Sequence, residues 1–270
     1  MQINQLKKTS DINHQEFIEE YFEKKPVVIT NKINHWPALK KWTPEYFKNK
    51  YSQETIYLMN CSASAKLTYL ESHIQNDFIE TKMGEFVDML NRGEQGYAIA
   101  ESIDFMEEHE ELLDDMDQYR PFHCTEEPEA SRYMALWFSP KDSLTGLHID
   151  KGEGHLFQLY GTKIVRLFGP DQTKYLYEDD IEKLDALEVS ESITKDDLDL
   201  LKNYVRFSKV NPFSPNYEDY PLFETAKGLE VVIKPGDVLY IPMGWWHTVK
   251  SLETSISVSK SLYLNGFLKH

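Results

Sequence analysis

The stretch Thr145–Lys163, "TGLHIDKGEGHLFQLYGTK", decides how this chain is read. His148 and Asp150 stand two residues apart on an apparent strand. Successive strand side chains leave from opposite faces, so residues i and i+2 project together. "KGEG" and "YGT" read as turns that separate this strand from "HLFQLY" and "KIVRLF". A His-x-Asp pair is common, and a lone strand histidine is more often structural than a ligand. The pair carries weight only if the rest of the chain supplies the other parts of a site.

Working outward, short strand-like runs continue: "RYMALWF", "LEVVIK", "DVLYIP" and "SISVSKSLYL". Turn signals such as "SPKDS", "GPDQ", "KPGD" and "PMG" punctuate them, a spacing that predicts a β-barrel or sandwich. One polar, charged stretch interrupts the pattern from about Tyr177 to Leu222 and reads as an insertion over one end of the barrel. The N-terminal half is mixed. "SDINHQEFIEEYFEKK" predicts a helix capped by Ser10 or Asp11. "PVVIT" predicts a buried strand, and "TPEYFKNKY" a helix with Thr43 as N-cap and Pro44 in its first turn. "ETIYLMN", "AKLTYL" and "GYAIAES" read as strands and "KMGEFVDMLNRG" as a helix stopped by Gly93. "IDFMEEHEELLDDMDQY" reads as one acidic helix. The expectation is a single domain over residues 1–270, with a helix-and-strand part over about 1–130 and a barrel core over about 131–262.

A chain of 270 residues can bury a substantial core, and 41% hydrophobic residues is a globular composition. The formal net charge of −16 repels phosphate backbones, so no DNA partner is expected. Two cysteines, Cys61 and Cys124, are too few for a disulfide framework and read as small buried hydrophobes. The N-terminus has no apolar core of a signal peptide, and no apolar run approaches the roughly 20 residues of a membrane span. The expected compartment is the cytoplasm.

A metal site needs a third ligand, and "VIKPGDVLYIPMGWWHTV" offers His247. Two histidines and a carboxylate on one face of an octahedron leave positions for a cosubstrate and O₂, which suits non-haem Fe(II). His35, His73, His109 and His123 have no comparable partners. Lys163 begins "KIVRLF" and shares a strand face with Val165 and Leu167. An ammonium is costly to bury without a negative partner. A dicarboxylate such as 2-oxoglutarate would supply one, with Thr145 adding a hydroxyl; the alternative is a surface lysine that snorkels.

At these residues the chain resembles the JmjC (Jumonji-C, cupin-like) 2-oxoglutarate oxygenases, in their small hydroxylase branch. "LWFSPKDSLTGLHID", "LFQLYGTKIVRLFGPDQTKYLY", "KPGDVLYIPMGWWHTV" and "SISVS" follow the family's pattern in order, and "KKPVVITNKINHWPALKKWTPEYF" resembles its N-terminal segment. The resemblance implies a fold that is mainly β with flanking helices (α+β), a double-stranded β-helix of the cupin or jelly-roll kind. It implies Fe(II) at His148, Asp150 and His247, and 2-oxoglutarate at Lys163 and Thr145, with O₂ as the second cosubstrate. Trp137 and Tyr97 fall where relatives line the pocket, and Tyr69 on the substrate side. Trp245 and Trp246 are further candidate walls. The sequence departs from the family at Gly154 and at Ser259, two positions near the cosubstrate where many relatives carry Asn; His155 is a candidate replacement for the first amide. The implied reaction is hydroxylation of a C–H bond on a protein or peptide side chain. A small metabolite, a modified RNA base, a zinc or manganese cupin enzyme and an inactive binding module are the alternatives. Oligomeric state is left open.

Overall fold

A computed structural model of the chain describes residues 1–10, 12–62, 78–116, 134–150, 152–179 and 205–262. The strands are β1 (Gln2–Gln5), β2 (Lys8–Thr9), β3 (Val27–Ile29), β4 (Thr55–Asn60), β5 (Phe78–Lys82), β6 (Tyr97–Ser102), β7 (Met134–Ser139), β8 (Leu144–Asp150), β9 (Glu153–Tyr160), β10 (Lys163–Phe168), β11 (Val205–Phe207), β12 (Lys227–Ile233), β13 (Val238–Ile241), β14 (Trp246–Ser251) and β15 (Ser255–Leu262). The α-helices are α1 (His14–Glu20), α2 (Ala38–Lys41), α3 (Pro44–Tyr51), α4 (Met83–Asn91) and α5 (Ile103–Glu108). No helix among the described residues is long and apolar enough to cross a membrane.

Two sheets carry the architecture. One runs β1-β12-β10-β14-β8-β11, the other β2-β3-β13-β9-β15-β7-β6-β4-β5. Pairing is antiparallel except at β1–β12 and β2–β3. Together they make the expected double-stranded β-helix. Val165, Leu167, Val231 and Ile233 of the first sheet pack against Val28, Leu239 and Ile241 of the second, which fills the space between them. On the outer face of the second sheet, Phe138, Phe157, Ile256 and Val258 meet Trp42, Phe47 and Phe86 from the helical layer. On the outer face of the first, Leu147, Ile149, Phe168 and Trp246 meet Leu176, Val210 and Phe223. The central strands thus feed two apolar layers, which is why their residues alternate between them.

The local signals act largely as expected. The Thr43 hydroxyl accepts from the Tyr46 N–H at 3.1 Å and starts α3, with Pro44 in its first turn. Gly93 follows α4 with a φ of +77°, a conformation that suits a residue without Cβ. Three differences have physical causes. Asn13, not Ser10 or Asp11, caps α1, accepting from the Glu16 N–H at 2.9 Å. The acidic helix is shorter than expected: α5 stops at Glu108, His109 breaks it, and Glu110–Asp115 continues as a 3₁₀ turn. Leu112 and Met116 still reach the core from that turn. Within the polar stretch 177–222, β11 pairs with β8, so Val205–Phe207 extends the first sheet at its edge. Arg206 there forms an ion pair with Glu178.

Candidate metal centre

β8 and β14 are hydrogen-bonded neighbours, and the register sets His148 opposite His247. The ring centroids are 4.1 Å apart. The register then shifts: Thr145 faces Val249, so three residue steps on β8 match two on β14. Such a bulge bends a strand and re-aims its side chains. Both imidazoles are held by backbone. The His148 Nδ1–H donates to the Gly146 carbonyl at 2.8 Å, and the His247 Nδ1–H donates to the Trp245 carbonyl at 3.2 Å. A donor at Nδ1 puts the ring's lone pair on Nε2, the atom that can ligate a metal. Each Nε2 stands 3.6 Å from a different carboxylate oxygen of Asp150. One donor atom from each of the three residues lies within 4.8 Å of the others, and this is the one such group among the described residues. Burial, and then the neighbouring His148 ring, push the His247 imidazole down to about 4. It is neutral near pH 7, as a ligand must be. The residues fit a divalent metal held on one face, with the opposite face open to other ligands.

Deeper in the same barrel lies Lys163. It is 4% exposed and points between the sheets with Val165 and Leu167. Four residue steps along β10, about 13 Å of strand, separate its Cα from that of Leu167, the partner of His247. Lys163 lines a small cavity with Cys61, Trp137, Ser139, Ser143 and Thr145. No carboxylate among the described residues pairs with its ammonium. Burial therefore pushes the lysine down to about 7. Burial likewise pushes the Cys61 thiol up to about 12.

A model of the cupin-like domain matches residues 13–261. The chain belongs to the cupin-like domain family. Its relatives are JmjC-domain proteins over most of its length. It is 30% identical over 238 residues to lysine-specific demethylase 8 of Xenopus tropicalis, which covers 87% of this chain and 47% of that protein. It is 26% identical over 258 residues to Jumonji C domain-containing protein 5 of Drosophila melanogaster, covering 91% and 56%. Among solved structures, ycfD of E. coli matches 96% of this chain and 55% of its own, with a TM-score of 0.53 at 17% identity. The chain spans about half the length of these curated relatives.

Within this cupin-like domain the structure brings His148, Asp150 and His247 together, and it gathers Lys163, Thr145 and Trp137 around one cavity. Ser259 reaches that group indirectly: its hydroxyl accepts the Trp137 indole N–H at 2.8 Å. Tyr97 does not line the cavity. Its half-buried ring packs against the cluster that joins the second sheet to the helical layer. Trp246 is likewise no wall of the site. Period-two alternation sends it to the outer face, opposite His247, where its indole donates to the Thr173 hydroxyl at 2.9 Å. Trp245 packs on the interior cluster. His155 cannot stand in for an amide at Gly154, since its ring leaves the other face of β9 and lies 5.3 Å from the Tyr240 ring. A Cβ at Gly154 would meet only Ile241, at 3.8 Å, so packing does not demand glycine there. His109 packs against Tyr51 and Phe105, 4.5 Å from each ring. Tyr69, His73, His123, Cys124 and the strand expected at "AKLTYL" lie outside the described residues. Sequence reasoning missed Ser139, Ser143 and Ser251 in the cavity wall. Isolated serines carry no pattern that could have flagged them.

Proposed function

We propose that this chain is an Fe(II)- and 2-oxoglutarate-dependent oxygenase that hydroxylates a C–H bond on a protein or peptide side chain. One observation carries the reading. A three-ligand metal face and a buried ammonium with no carboxylate partner among the described residues share one barrel interior. An α-keto dicarboxylate is the ligand class that answers both, chelating the metal at one end and pairing with the lysine at the other.

His148 and His247 would hold iron through Nε2 and Asp150 through a carboxylate oxygen. Bound iron and keto acid supply the oxidising power, consuming O₂ and releasing succinate and carbon dioxide. The chain's own residues position and protect. The backbone carbonyls of Gly146 and Trp245 keep both imidazoles in the ligating tautomer. Lys163 and Thr145 would fix the far carboxylate, and Trp137 screens that end from water.

A polypeptide substrate is supported by a groove of about 930 Å³ along β4, β5, β6 and α5. Glu54, Glu101, Asp104 and Glu108 line it, with Lys82 as the cation among its described lining residues. Ala100 lines both this groove and the inner cavity, so the two lie side by side at β6. Its charge suits a basic segment. The names of relatives, lysine-specific demethylases among them, agree with a protein substrate.

The test is succinate formation from 2-oxoglutarate in air with added Fe(II). Wild type turns over slowly alone and faster with lysine- and arginine-rich peptides; His148→Ala and Lys163→Ala lose the activity. A wild type that makes no succinate and binds no 2-oxoglutarate refutes the proposal.

A further inference from the structure

We infer that Ser143 is a further donor to the far carboxylate of the keto acid, and that the serine-lined end of the cavity restricts the cosubstrate to a short dicarboxylate. This rests on the oxygenase reading above. Ser143 is 6% exposed, and its hydroxyl is buried with no hydrogen-bond partner among the described residues. The fold does not need that hydroxyl. Ser143 is tied in by its backbone, its carbonyl accepting from the Ser251 N–H at 2.9 Å. Its neighbours are satisfied: the hydroxyls of Ser139, Ser251 and Ser255 bond one another at 3.1 to 3.5 Å. Native proteins rarely bury a hydroxyl unmet, and each case asks for an explanation.

Two groups in one cavity therefore look for an acceptor, the Ser143 hydroxyl and the Lys163 ammonium. A water could satisfy the hydroxyl but not the charge. A carboxylate satisfies both, with lone pairs enough for Ser143, Lys163 and Thr145 together. Size agrees. The cavity leaves about 20 Å³ for the centre of a water-sized sphere, against about 10–15 Å³ for one water on that measure. A carboxylate head fits, and the space left beyond it is small. Cys61, Ala98, Ile99, Ala100 and Val249 add wall without offering a competing charge.

The experiment is calorimetric binding to the Mn(II)-loaded protein, which needs no turnover. The ligands are 2-oxoglutarate, the one-carbon-longer 2-oxoadipate, and 2-oxopentanoate, which keeps the five-carbon chain but lacks the second carboxylate. Wild type binds 2-oxoglutarate tightest. Ser143→Ala weakens 2-oxoglutarate about tenfold, leaves 2-oxopentanoate unchanged, and narrows the discrimination against 2-oxoadipate. Ser143→Cys, which keeps the side-chain shape and removes the strong donor, guards against a folding artefact and shows the same selective loss. Wild-type affinity for 2-oxoglutarate in both variants overturns the inference, and so does an equal loss for 2-oxoglutarate and 2-oxopentanoate. Failure of the wild type itself to bind 2-oxoglutarate instead overturns the oxygenase reading.

Discussion

The indole N–H of Trp137 donates to the hydroxyl of Ser259 at 2.8 Å, joining β7 to β15 across the inner face of the second sheet. In the ladder Trp137 stands opposite Ser257 and Ser259 opposite Ala135, so the bond runs to a diagonal neighbour. It holds the ring against the cavity. Ser259→Ala leaves a partly buried donor unmet and costs about 1 kcal/mol. Urea unfolding followed by tryptophan fluorescence shows a lower midpoint with an unchanged m-value. An unchanged midpoint means that the ring is held by packing alone.

Lys163 makes stability and cosubstrate binding depend on pH in opposite senses. Its folded-state value of about 7 lies below the ordinary 10.5. Between the two the unfolded chain binds more protons, so the cosubstrate-free protein gains stability as pH rises from about 7, by at most about 1.4 kcal/mol per pH unit. A dicarboxylate needs the charged ammonium. Its dissociation constant therefore grows above pH 7, by up to about tenfold per pH unit. Calorimetry at pH 6.5 and 8.5 reads the binding, and urea titrations of wild type and Lys163→Met read the stability. A flat response in both removes Lys163 from the cosubstrate site.

Gly161 makes the β9–β10 turn possible. Its φ is +67°, and a Cβ there would sit 2.1 Å from the Thr254 carbonyl oxygen. The Gln158 amide donates to the carbonyls of Tyr160 and Gly161, at 2.7 and 2.9 Å, and braces the turn. Gly161→Ala strains the backbone and pushes against β15, at a cost of about 1–3 kcal/mol. Because Lys163 starts the next strand, 2-oxoglutarate affinity falls as well. Thermal melting and calorimetry check the two effects, and a variant with wild-type melting contradicts the steric argument.

The pairing of His148 with Asp150 was legible because strand geometry is local: the two share a face by period two, and Lys163 with Val165 and Leu167 does the same. The same rule places Trp246, next to His247, on the outer face. β1 and β2 were not legible. "MQINQLKK" has no strong strand pattern, and those segments become strands only because β12 and β3 offer edges to pair with. β11 was hidden for a similar reason, since Arg206 and the surrounding charges mask a segment whose Phe207 lies against the His148 ring. The orphan hydroxyl of Ser143 is a property of its surroundings, and no sequence pattern encodes a missing partner.

The bulged pairing of β8 with β14 has a kinetic consequence. Thr145 and Thr248 are 103 positions apart in the chain, yet the hydroxyl of one lies 2.7 Å from the carbonyl of the other. Contacts that distant form late, after the loop-closure entropy has been met. The two histidines therefore come within reach of one ion only when the barrel is nearly closed. A metal held by the three residues would act as a clasp on the finished structure and not as a seed for it, and the expected outcome is slower unfolding with an unchanged folding rate when metal is added.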